Sequence, residues 1–238
     1  MNISNLLPIT PKYELTIPST KEIIKFRPFL VKEEKILLLA QQSNNNATIL
    51  TAIKTIIEDC TDGIQNAGEL PLFDVEYIFL QLRAKSIGEL IEPSIICPET
   101  DEKIDVQINI NDMQVLHNET HTKNIKIDNN IIIGMKYPSL NILQEKNHPI
   151  DSLDPISFYD LLVSCIENIQ TPDENISVAD NISDEEISQF VDNLTKSQFE
   201  TLLDFFITSP RLEYTVQYTT SDGQEREVVL SGLSDFFG

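Results

Sequence analysis

The chain has 238 residues, 41% of them hydrophobic, with no Trp, 7 Gly and a formal net charge of −21. That is enough apolar material for one large or two small packed domains and too much for a chain disordered throughout. The acidic balance argues against nucleic acid, whose binders gain affinity by setting Lys and Arg against phosphates, and against anionic membrane surfaces.

No run approaches ~18 consecutive apolar residues, so no transmembrane helix is expected. Residues 1–8 lack the basic and apolar regions of a signal peptide, so a cytoplasmic protein is expected. The three cysteines, Cys60, Cys97 and Cys165, are odd in number and far apart, which points to reduced, packed thiols rather than a disulfide framework. Charge is unevenly spread. Residues 151–238 carry 18 acids against 3 bases, whereas residues 1–40 carry 4 acids against 6 bases. Such polarity can steer a partner and set its docking direction.

In chain order, residues 13–17 and 23–27 read as two short strands around Pro18-Ser19-Thr20-Lys21, with Tyr13, Leu15 and Ile17 alternating as a half-buried strand requires. Pro28 ends the ladder because it has no N–H to donate. Val31 to Gln42 reads as a helix. Asn46 is expected to cap the next one, in which Ile49, Leu50, Ile53, Ile56 and Ile57 recur at three- and four-residue steps. Pro71 to Leu90 is the longest helical candidate.

Composition changes at Pro93. Ile104 to Ile110 alternates strictly and can pair with Ile95-Ile96-Cys97 across Pro98-Glu99-Thr100-Asp101. A second hairpin joins 124–127 to 131–135 through Asp128-Asn129-Asn130, and 138–149 reads as a linker. A helix then opens at Asp154-Pro155, with Phe158, Leu161, Leu162, Cys165, Ile166 and Ile169 on its apolar face. Residues 171–181 read as a polar loop. Capping boxes at Ser183–Glu186 and Thr195–Gln198 start two more helices. Strands 212–219 and 225–230 flank Ser221-Asp222-Gly223-Gln224, where Gly accepts positive φ at little cost.

The expected fold is therefore α+β: an N-terminal strand pair with helices, a small central β-hairpin unit, and C-terminal helices ending in a β-hairpin. The expected divisions are 1–92, 93–149 and 150–238, the last an acidic helical segment with the terminal hairpin.

Chemistry is hard to find. His117 and His121 are four apart, but Asn118-Glu119-Thr120 lies between strand-like segments and HNETH is not the HExxH order of zinc proteases; a solvated loop is expected. Cys97-Pro98-Glu99-Thr100 resembles one zinc knuckle without its partner cysteine, whereas a closed zinc site wants four ligands. No nucleophile elbow, P-loop or dinucleotide fingerprint occurs. No metal, no cofactor and no enzymatic activity are expected. What remains suits protein contacts. Phe26-Arg27-Pro28-Phe29 is followed by Lys32 and Lys35, and Phe236-Phe237 lies near the end of the chain. Aromatics and Arg are favoured at interface centres, so Phe26, Arg27, Phe29, Lys32, Lys35, Phe236 and Phe237 are the interface candidates.

At these residues the chain resembles the baseplate hub protein family of T-even-like contractile-tailed bacteriophages. The matching pieces are Tyr13 to Thr20, Lys25 to Lys35, Leu70-Pro71-Leu72-Phe73-Asp74-Val75-Glu76-Tyr77, Leu80 to Glu89, and Leu233-Ser234-Asp235-Phe236-Phe237. The resemblance covers about the first hundred residues well and the remainder in patches. It implies a protein needed to build the tail baseplate hub; with no catalytic signature in the residues, a non-catalytic assembly factor or hub subunit acting by protein contacts is expected. Its partners would be other baseplate hub or tail proteins, met in the host cytoplasm during assembly. A permanent structural role in the virion baseplate is the alternative, and a tail-associated cell-wall hydrolase a distant one.

Overall fold

The structure, a computed structural model, describes residues 10–43, 45–145 and 155–232. The fold is α+β, as the sequence pattern predicts, with short antiparallel sheets and helices of up to 15 residues. The packing draws two compact units: residues 1–115 with 212–238, and residues 116–211. The expected boundary after residue 92 falls inside the first unit, and the hairpins of the expected central segment fall in different units.

In the first unit, β1 (Tyr13–Thr16) and β2 (Ile23–Phe26) form the anticipated pair, with Leu15 opposite Ile24. Both of these residues are buried. The connecting loop is pinned by Asp74, whose carboxylate accepts the Ser19 amide at 3.0 Å and the Ser19 hydroxyl. Burial pushes the Asp74 carboxyl upward against those hydrogen bonds. Helix α1 (Val31–Gln42) follows Pro28. Helix α2 (Asn46–Cys60) buries Leu50, Ile53, Ile56 and Ile57, as their helical spacing requires. Its cap is Asn45 and not Asn46: the Asn45 side chain accepts the Thr48 amide at 3.1 Å. A short β3 (Thr61–Asp62) adds a third strand beside β2, which the sequence pattern did not announce.

Helix α3 (Leu72–Ser86) begins at Pro71 and stops short of the expected Leu90. Beyond Gly88, at φ +147°, the chain turns into β4 (Leu90–Ile91). β5 (Ser94–Ile96) pairs with β6 (Lys103–Asp105), Ile95 opposite Ile104. The alternating run to Ile110 is divided: β7 (Ile108–Asn109) pairs with β4 instead. β8 (Gln114–Leu116) completes the outward path of the chain.

The second unit holds a four-stranded antiparallel sheet in the order 12-11-10-9. Its β9 (Asn124–Lys126) and β10 (Ile132–Met135) form the predicted hairpin, Ile125 opposite Ile133. The expected linker contains α4 (Leu140–Glu145), which buries Leu140 and Leu143. Helix α5 (Pro155–Ser164) is shorter than anticipated. Asp154, its expected cap, lies outside the described residues. Ile166 and Ile169 belong not to this helix but to β11 (Ile166–Gln170), which lies beside β10 with Ile169 opposite Ile133. Periodicity alone cannot separate a short apolar strand from a helix end; here the open edge of β10 decides. The expected polar loop contains β12 (Asn175–Ser177) and α6 (Val178–Asn181). Both capping boxes form. Ser183 starts α7 (Asp184–Asp192) and Thr195 starts α8 (Lys196–Thr208), each hydroxyl accepting the amide three residues on.

The chain then re-enters the first unit. β13 (Arg211–Thr219) and β14 (Glu225–Ser231) form the predicted hairpin, and the sheet order is 14-13-8. Gly223 sits in the turn at φ +78°. Leu212, Val216, Tyr218 and Leu230 close a core over Leu80, Ile91, Ile95, Ile108 and Met113.

Candidate interaction surface

The N-terminal candidates meet around one buried carboxylate. Glu33, in the first turn of α1, is fully buried. Its Oε1 accepts Arg27 Nη2 at 2.8 Å and lies 3.0 Å from Lys32 Nζ. Its Oε2 reaches back to accept the Leu30 amide at 2.7 Å, tying off a helix N-terminus that has no polar capping side chain. Burial opposes the charge on Glu33, but the Arg27, Leu30 and Lys32 hydrogen bonds outweigh it and hold its carboxyl at about 2. The same Glu33 hydrogen bond holds the Arg27 guanidinium above its ordinary value. Arg27 also donates to the Pro28 and Asp59 carbonyls, at 3.1 and 2.9 Å.

Arg27 therefore ties β2, α1 and α2 together. Phe26 is buried, its ring 5.6 Å from that of Tyr13. Phe29 is half-buried, 5.7 Å from Phe79. Lys32 and Lys35 point outward, and Lys32 also approaches Asp59 at 3.4 Å. Phe236 and Phe237 lie outside the described residues. Along α1, Val31 is 79% exposed, Leu38 52% and Leu39 59%. Sequence reasoning missed Leu38 and Leu39 because the run Ile36-Leu37-Leu38-Leu39-Ala40 is apolar throughout and reads as buried.

Two further constellations come from the chemistry-bearing residues. The Cys97 turn is a docking point for the terminal hairpin. Cys97 Sγ lies 3.2 Å from Glu99 Oε2, and Arg226 Nε reaches Glu99 at 3.3 Å. Arg226 also clamps Asp222 through two bonds of 3.0 and 2.9 Å. The Ser221 amide donates to Glu102 at 3.0 Å. This turn thus has an internal structural use, and among the described residues no three His, Cys, Asp or Glu side chains converge as metal ligands.

His121 is not in a solvated loop. It stands against Phe205 and Tyr137, ring centroids 5.2 and 5.6 Å away. Its Nδ1 is 2.9 Å from Thr208 Oγ1 and its Nε2 3.0 Å from the Tyr137 hydroxyl. Thr208 spends its proton on the Asp204 carbonyl at 2.6 Å, so Nδ1–H donates to Thr208 and Nε2 accepts from Tyr137. Burial, with Lys123 and His117 nearby, lowers the His121 pKa.

The described chain is thus a two-unit α+β scaffold whose ionisable clusters are engaged in holding its own elements together, with apolar side chains left on the outside of α1. No helix among the described residues is long and apolar enough to cross a membrane. The model of the T4 bacteriophage base plate protein family matches residues 10–238, and the chain belongs to that family. It is a phage baseplate protein, and membership implies contacts with other phage tail proteins. No curated protein and no solved structure matches it.

Proposed function

We propose that this baseplate protein is a non-catalytic assembly factor or subunit of the tail hub. It works through protein–protein contacts made by the outward face of α1. The observation that carries this reading is the exposure of Val31, Leu38 and Leu39 beside the outward Lys35. Spacings of three and four residues put Val31, Lys35, Leu38 and Leu39 on one side of the helix. A contiguous apolar patch rimmed by charge is a feature of docking surfaces. Lys32 and Lys35 supply a positive edge on an otherwise acidic chain, which sets the polarity of approach. Phe236 and Phe237 are the second contact in this proposal. Phe26, Arg27 and Phe29 serve it indirectly, by holding the start of α1.

Co-expression with the other baseplate proteins of the same phage, followed by co-purification, tests the reading. The double variant Lys35→Glu with Leu39→Asp is expected to lose the complex at unchanged melting temperature; undiminished co-purification would remove this face from the interface. Mass spectrometry of purified virions separates the two roles, since stoichiometric presence marks a subunit, present in the finished tail, and absence marks an assembly factor acting in the host cytoplasm. Turnover of cell-wall substrate by the pure protein, abolished by a point change, would overturn the non-catalytic reading.

A further inference from the structure

Beside the outward face of α1 lies a groove of about 320 Å³ between α1 and α3. Leu37 and Leu38 form one wall, Phe79 and Ile87 the other, and Ile91 with Pro93 complete it. Leu38 and Ile87 remain exposed, at 52% and 61%. Two acids, Glu34 and Glu92, also line it, and both are exposed. Glu92 accepts Gln107 Nε2 at 3.1 Å. Half-buried Arg83 lies between Phe79 and Ile87 on the α3 side.

We propose that this groove receives an amphipathic helix of a partner protein, inserting its apolar stripe between α1 and α3 and setting Lys or Arg side chains against Glu34 and Glu92. The proposal rests on the docking function proposed above and names the chemistry of the partner.

The length fits. Glu34 to Gln41 and Phe79 to Ile87 each span about 10–12 Å, or two helical turns, room for anchors at i, i+3 or i+4, and i+7. The walls favour a helix over a strand. They present side chains, and the only strand among the lining residues, β4, has two residues, too short an edge to template an added strand. An occupant must therefore satisfy its own backbone, which a helix does. The charge fits too. The exposed charged residues that line it, Glu34 and Glu92, are both carboxylates, so basic flanks are attracted and acidic flanks repelled.

Two synthetic peptides of about 14 residues test this by fluorescence anisotropy against the full chain. Both carry the same leucine stripe, one flanked by Lys and the other by Glu. The Lys-flanked peptide is expected to bind at least ten-fold more tightly and to weaken as salt rises. Ile87→Asp should lower its affinity ten-fold or more with melting temperature unchanged. Glu34→Lys with Glu92→Lys should reverse the preference between peptides. Absence of binding, equal binding of both peptides, preference for the acidic one, or binding that survives Ile87→Asp would each overturn the proposal. Concentration-dependent dimerisation abolished by Ile87→Asp would give the groove to a second copy of the chain. Tighter peptide binding after removal of residues 233–238 would give it to the protein's own last residues. Either result overturns the partner helix. Loss of the baseplate complex in Lys35→Glu with Leu39→Asp, alongside failure of every peptide test, would remove the groove and leave the docking function standing.

Discussion

Glu33 carries more of the N-terminal architecture than any neighbour, because one buried carboxylate completes three separate hydrogen-bonding obligations. Removing Arg27 leaves that charge short of its best partner. Arg27→Ala is expected to cost about 2–3 kcal/mol, less than the loss of a fully buried pair because Lys32 remains and Arg27 is partly exposed; denaturant titration measures it. The sign of the pH effect follows from the depressed Glu33 pKa, about 2 against an ordinary 4.5. Between these values the unfolded chain binds the proton and the folded chain does not, so stability falls as pH falls through that window. Thermal melts from pH 5 to pH 2 should show a shallower decline for Glu33→Gln than for the wild type. Gly134 is a second sensitive position. It faces Asn168 across β10 and β11, and an added Cβ would stand 2.6 Å from the Asn168 amide. Gly134→Ala is expected to destabilise by about 1–2 kcal/mol through overpacking, detectable as a lowered melting temperature.

Among the elements, the ring cluster beside β9–β10 and α8 is expected to respond to mild acid through His121. His121 is neutral in the fold, with its pKa lowered below 6.5 by burial first and then by Lys123 and His117. The unfolded chain takes up the proton first as pH drops. The stability contribution is therefore full above about pH 6.5 and declines below it, until the folded imidazole also titrates. Melts between pH 7.5 and 5.5 should fall for the wild type and fall less for His121→Gln. The thiol-bearing elements behave differently. Burial pushes Cys60 up to about 11 and Cys165 up to about 12. At Cys97, burial also favours the thiol, but the polar groups of its turn outweigh it and lower the pKa. All three are buried. Ellman titration of the native protein should find no fast-reacting thiol, and three in denaturant.

For the molecule as a whole, the decisive feature is that residues 116–211 form a unit of their own between two stretches of the first. The chain leaves by β8 and returns by β13, which are neighbours in one sheet. The first unit therefore needs both ends of the sequence, and its core joins Leu80 and Ile108 to Leu212 and Leu230. Replacing residues 117–210 by a short Gly-Ser linker is expected to leave the first unit folded, with a single cooperative thermal transition followed by circular dichroism. A molten product that binds hydrophobic dye would show instead that the two units fold only together.

Local chemistry made much of this legible from the amino-acid order alone. The β1–β2 pair, α1, the two capping boxes and the Asp222-Gly223 hairpin each depend on residues within a few positions of one another, and the α+β class follows from them. The overall acidity and the polarised charge are likewise properties of composition. What required tertiary structure was every choice between equivalent local options. Ile166 and Ile169 suit a helix or a strand equally until β10 offers an edge. The run from Ile104 to Ile110 reads as one strand until β4 claims Ile108. Arg27 and Phe26 have the composition of a contact surface, and only the approach of Glu33, Asp59 and Tyr13 turns them inward. Leu38 and Ile87 have the composition of a core, and the absence of described chain over them leaves them outside. Burial is a property of what arrives from far along the chain, so which apolar residues of α1 stay exposed could be read only once the distant elements had been brought together.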